Sequence, residues 1–138
     1  MKVIIINGPN LNLIGIREPH IYGNTTFEDY YKDLCKTFPG INLHYYQSNV
    51  EGELINKIQE AGFQMDGIIL NAGGYTHTSV AIGDAIASVP ARVVEVHISN
   101  IFAREAIRQQ SMLSPKCCGV ISGFGLHSYR LALDYFKI

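Results

Sequence analysis

Glu95 and His97 stand two residues apart in an otherwise apolar run, RVVEVHI, from Arg92 to Ile98. In an extended strand that spacing puts both side chains on one face. A carboxylate beside a histidine orients the ring and favours the imidazolium, which makes His97 a candidate general acid. The pair also reads as a structural hydrogen bond near the end of a sheet. Strands buried on both faces are normally apolar throughout, however, so a Glu and a His there need a reason. Tyr22 follows Arg17 by five residues in one polar stretch. By itself it is an ordinary loop aromatic, but a nearby guanidinium would favour its tyrosinate and lower a pKa normally about 10. Asn10, Asn71, His77, Ser99, Arg104 and Arg108 add amides, an imidazole, a hydroxyl and two cations. The planar fork of arginine suits a substrate carboxylate, holding both oxygens at once. Plainer readings stand beside these: His77 as a helix cap, Asp84 as the solvated face of its helix, and His20, His44 and His127 as surface residues.

Something must bring these stretches together. Short apolar runs alternate with amphipathic segments along the chain. Lys2–Asn7, Ile41–Gln47, Gly67–Leu70, Arg92–Ile98 and Cys117–Ser122 read as strands, the first of them β-branched and apolar on both faces. Between them, Phe27, Tyr30, Tyr31, Leu34 and Phe38 fall at helical spacing behind a capping box at Thr25–Glu28. Val50–Ala61 is a second helix, expected to stop at Gly62. Ser79–Ser88 is a helix of small residues, Ala103–Gln110 a short one, and Ser128–Phe136 the closing one. Asn71–Thr78 reads as a polar loop. Gly8–Asn24, rich in Gly, Pro and Asn, is a long loop of the kind that is usually functional. Five strands alternating with helices predict an α/β fold, a doubly wound parallel sheet, with the flavodoxin-like order 2-1-3-4-5 as first choice. Ligands of such sheets bind beyond the carboxyl ends of the strands, where all the polar stretches above would lie. The helix starts near Ile98-Ser99 and Thr78-Ser79 would add backbone N–H groups for an anion.

Composition narrows the function classes. With 138 residues one domain spanning 1–138 is expected, and the net charge of −1 argues against nucleic-acid binding and against a polybasic membrane surface protein. No apolar stretch approaches the roughly 18 residues of a membrane span, and no signal peptide is recognisable, so a cytoplasmic location is expected. Cys35, Cys117 and Cys118 form neither a disulfide framework nor a zinc-binding spacing. GxGxxG and GxxxxGK[ST] are both missing, and no HExxH-type metal pair occurs, so neither cofactor nor metal is expected.

Four stretches carry a resemblance: IINGPNLNLIGIREPHIYG (Ile5–Gly23), NAGGYTHTS (Asn71–Ser79), EVHISNIFARE (Glu95–Glu105) and GFGLHSYRLAL (Gly123–Leu133). In this order they resemble the type II 3-dehydroquinate dehydratases, the dehydroquinases of the shikimate pathway of aromatic amino acid biosynthesis. The resemblance implies a flavodoxin-like fold, no cofactor and a homododecamer of four trimers. It also implies anti dehydration of 3-dehydroquinate to 3-dehydroshikimate through an enolate. Carried residue by residue, Tyr22 would be the base at C2, kept ionised by Arg17, and Asn10 would hold a water at the enolate. His97, oriented by Glu95, would protonate the departing C1 hydroxyl. Asn71, His77, Ile98, Ser99 and Arg108 would bind substrate, and Asp84 would reach a neighbouring subunit's site. Ala72-Gly73-Gly74 stands where Pro-Gly-Ala is commoner, and REAIRQQS replaces a REPFRHHS-like run; both departures spare the residues just named.

Overall fold

The chain is described by a computed structural model over residues 1–16, 20 and 24–137. Among these residues lie five strands: β1 (Lys2–Asn7), β2 (Asn42–Gln47), β3 (Gly67–Asn71), β4 (Arg92–His97) and β5 (Gly119–Ser122). They form one parallel sheet in the order β2-β1-β3-β4-β5, as the alternation of elements predicts. Helices α1 (Phe27–Thr37) and α4 (His127–Lys137) cover one face; α2 (Glu51–Gln64) and α3 (Val80–Ala87) cover the other. The central strands β1 and β3 are β-branched or leucine-rich and buried on both sides, because each face has a helical layer to bury against.

Local deviations from the expected boundaries have identifiable causes. Helix α2 runs through Gly62 to Gln64. Gly62 is a contact point and not a stop signal: a Cβ there would lie 2.3 Å from the Cβ of Val89. The cap of α1 is Thr26, one residue later than expected, and its hydroxyl accepts from the Asp29 N–H at 3.2 Å. In place of a helix at Ala103–Gln110 there are two 3-10 turns, Ile101–Ala103 and Ala106–Gln109. The second buries none of its residues, so no apolar stripe exists to support a longer α-helix. A further turn, Gly73–His77, shapes the polar loop after β3. His44 is half-buried on β2, with Nε2 buried and without a partner among the described residues, and so is not a surface residue; His20 and His127 are exposed as expected. The three cysteines are free. No described helix is long and apolar enough to cross a membrane.

Candidate active site

The polar residues gather at the carboxyl ends of β1, β3 and β4. Asn7 and Asn71 are register partners at the last rung of β1 and β3, and both are buried. Immediately beyond, the Gly8 N–H donates to the Asn71 carbonyl at 2.7 Å. The two loops touch so closely that a Cβ on Gly8 would meet the Ala72 carbonyl oxygen at 2.5 Å, so only glycine fits. Asn10 follows in the left-handed region at φ 70°, and its N–H is held by the Asn49 side chain at 3.0 Å.

Glu95 and His97 share the α2/α3 face of β4, as their spacing predicts, and both are buried. His97 Nε2 lies 2.5 Å from Glu95 Oε2. The other carboxylate oxygen accepts from two hydroxyls, Ser111 at 2.8 Å and Ser114 at 2.7 Å. Ser111 is itself pinned, because its oxygen accepts from the Leu113 and Ser114 N–H groups at 3.0 Å. Burial pulls the Glu95 carboxyl upward. The hydrogen bonds from His97, Ser114 and Ser111, with the charge of His97, outweigh it and hold the group below its ordinary value. An ionised Glu95 therefore accepts the Nε2 proton of His97 and leaves Nδ1 as the ring's second site for a proton.

His97 lines a cleft of about 130 Å³ together with Asn10, Asn71, His77, Ile98 and Ser99. The His77 and His97 rings lie nearly parallel, 6.2 Å apart. His77 Nδ1 is 2.6 Å from the Gln110 carbonyl, which only accepts, so Nδ1 carries the hydrogen and Nε2 is the basic atom. At the rim, the Arg104 guanidinium reaches the Ser99 hydroxyl at 3.4 Å and Arg108 pairs with Glu105 at 2.6 Å. Both arginines are half-buried and line the cleft, so a bound carboxylate would meet cations already held in place. Chemically the cleft offers one carboxylate-backed imidazole, a second imidazole, two amides and two guanidiniums. Among the described residues no cluster of His, Cys, Asp and Glu could hold a metal ion.

Of the residues singled out from the sequence, Asn10, Asn71, His77, His97, Ile98, Ser99 and Arg108 come together here, with Glu95 directly behind His97. Asp84 lies on the exposed side of α3, outside this cleft. Arg17 and Tyr22 fall outside the described residues. Sequence reasoning missed Ser111 and Ser114, which stand in an irregular stretch with no periodicity to aim them, and Tyr129, whose spacing in α4 marks only a core aromatic.

A family profile described as Dehydroquinase class II matches residues 1–137. The chain belongs to the class II dehydroquinase family. Relatives in this family include a 3-dehydroquinate dehydratase from a Nitratiruptor species, 55% identical over 136 residues, 96% of this chain and 86% of that protein. Another, from Caldicellulosiruptor bescii, is 53% identical over 139 residues, 99% of this chain and 96% of that protein. The crystal structure of a type II dehydroquinase from Butyrivibrio crossotus matches with TM-score 0.94 at 49% identity, covering 100% of this chain and 98% of that one. A type II dehydroquinase from Propionibacterium acnes gives the same TM-score, 0.94, at 36% identity, covering 98% of this chain and 94% of that one. The family's sheet and helical layers are thus shared at little more than a third of identical residues.

Proposed function

We propose that this chain is a 3-dehydroquinate dehydratase (EC 4.2.1.10), removing water from 3-dehydroquinate to give 3-dehydroshikimate in aromatic amino acid biosynthesis. What supports the reading above all is the buried Glu95–His97 pair opening on an arginine-rimmed cleft in a chain of this family. The C2 proton of the substrate is acidic because the neighbouring C3 carbonyl accepts the electron pair as an enolate. Tyr22, kept ionised by Arg17, takes that proton, and Asn10 holds a water against the enolate oxygen. The enolate then collapses, the C1–O bond breaks, and His97 delivers a proton to the departing hydroxyl from the opposite side. Water and the conjugated enone are the products. Glu95 keeps the His97 ring oriented for this step. Arg108, the Ile98 N–H and Ser99 hold the carboxylate, while Asn71 and His77 take the ring hydroxyls. Asp84 reaches the site of a neighbouring subunit in a trimer, four of which make a dodecamer. The enzyme works in the cytoplasm with neither metal nor cofactor.

The test follows the ultraviolet absorbance of the enone as 3-dehydroquinate is added to purified protein. Turnover persisting through exhaustive chelation is expected. Tyr22→Phe lowers kcat by about two to four orders of magnitude. Arg17→Ala also lowers it, and the two losses fail to add because both remove one tyrosinate. No enone from the native chain overturns the activity. Near-normal turnover in Tyr22→Phe moves the base elsewhere.

A further inference from the structure

Behind the cleft, on the opposite face of the sheet from Glu95, three buried polar side chains make a directed chain. Asn71 Nδ2 lies 2.9 Å from the Tyr129 hydroxyl, and that hydroxyl lies 2.9 Å from Asn7 Oδ1. Asn71 Oδ1 in turn accepts from the Gly73 N–H at 3.2 Å. Amide ends and hydroxyl protons are interchangeable in principle, but one member of this chain is not. A backbone N–H only donates, so the Gly73 contact requires the oxygen of Asn71 on its side. The nitrogen of Asn71 must then face Tyr129, whose oxygen accepts and whose proton goes to Asn7. Reversing the sense would set two donors against each other at Gly73. Burial pushes the Tyr129 phenol far above its ordinary value, outweighing the hydrogen bonds from Asn71 and Asn7, so its proton stays in place. Gly73 holds its N–H in position at φ 59°, in the left-handed region.

Tyr129 is wholly buried and does not line the cleft; Asn71 does. With one Nδ2 hydrogen engaged by Tyr129 and one Oδ1 lone pair engaged by Gly73, Asn71 has one N–H and one lone pair left. That is one donor and one acceptor, the complement of a secondary hydroxyl. We propose that Tyr129 is a positioning residue that holds the Asn71 amide, from its nitrogen end, in the sense the Gly73 N–H dictates, so that the cleft presents a donor–acceptor pair to a hydroxyl of the substrate. The inference rests on the dehydratase reading for its substrate and concerns recognition, not the proton transfers.

Tyr129→Phe removes the hydroxyl and keeps the ring. It leaves the Asn71 amide held by the Gly73 N–H alone, with its nitrogen end untethered, so KM for 3-dehydroquinate rises about tenfold while kcat stays within about threefold. Ile58→Val, in the core across the sheet, lowers Tm by a similar amount and leaves KM unchanged. In an Asn71→Ala background Tyr129→Phe has no further effect on KM, because it acts only through Asn71. If Tyr129→Phe does not fold, Asn7→Ala serves instead: it releases the Tyr129 proton to turn towards Asn71 and raises KM about threefold. A lowered Tm with unchanged KM, or the same rise in KM without Asn71, overturns the proposal. An active native enzyme with such variants fells this inference alone, whereas an inactive native chain fells the dehydratase reading and this inference with it.

Discussion

The two faces of the sheet bury different material and end in different chemistry. On the α1/α4 side the core holds an aromatic cluster among its aliphatic residues: Phe27 stacks on Tyr45 at 4.7 Å and meets Tyr129 edge-on at 4.9 Å. On the α2/α3 side the buried core members are all aliphatic, from Ile4 and Leu54 to Leu113. At the carboxyl edge the aromatic face ends in the neutral set Asn7, Tyr129 and Asn71, the aliphatic face in the ionised set Glu95, His97, Ser111 and Ser114. Depth does not separate them, since Tyr129 and Glu95 are both fully buried. Donors do. Glu95 receives three hydrogen bonds and stays charged, whereas Tyr129 receives one, from the Asn71 amide, and keeps its proton. One face is therefore suited to moving a proton and the other to recognising hydroxyls.

The sharpest way to break the comparison is at its charged end. His97→Ala should lower kcat by about two to four orders of magnitude in the enone assay. Asn71→Ala should act mainly on KM, and equal kcat losses in the two variants would erase the division of labour. Next come the cores. Phe27→Ala should destabilise the fold by about 3–5 kcal/mol in urea titrations, against about 0.5–1.5 kcal/mol for Ile58→Val. Equal costs would show that the aromatic side is no more tightly packed than its counterpart.

Acid and base should undo the faces in turn. The carboxyl of Glu95 is lowered in the fold, so its contribution is complete above the ordinary value of 4.5 and is lost as pH falls through the folded one. The phenols of Tyr129 and Tyr45 are raised, Tyr45 to about 12, chiefly by burial. Their contribution is complete below the ordinary value of 10.0 and is lost as pH rises above it. Thermal melts should show Glu95→Gln flattening the acid limb and Tyr129→Phe the alkaline limb; a swapped assignment would refute the account. Smallest is Thr26→Ala, which unties the start of α1 on the aromatic side for about 1 kcal/mol in the same melts.

Much of this is legible in the sequence. Uninterrupted β-branched runs such as Val3–Ile6 announce central parallel strands, and Glu95 and His97 stand out because they interrupt one. Helix ends were less legible, since Gly62 punctuates like a stop and acts as a close contact with Val89. Ser111 and Ser114 were invisible for a stronger reason. They reach Glu95 from a stretch with no regular period, so only the tertiary path of residues 110–116 reveals them. Tyr129 sits where any helix-face aromatic would, and nothing local shows that its hydroxyl finds Asn7, which precedes it by 122 positions.

That separation bears on how the enzyme is made. Strands β2 and β3 both add to β1, β4 adds to β3, and β5 to β4, so each new strand meets a neighbour already synthesised. The sheet can grow outward as the ribosome delivers it. The Asn7–Tyr129 bond breaks this order, joining the first strand to the last helix. A nascent chain that already has β1 to β4 still lacks the clasp behind Asn71, and the hydroxyl-recognising side of the cleft is finished only after translation has passed α4.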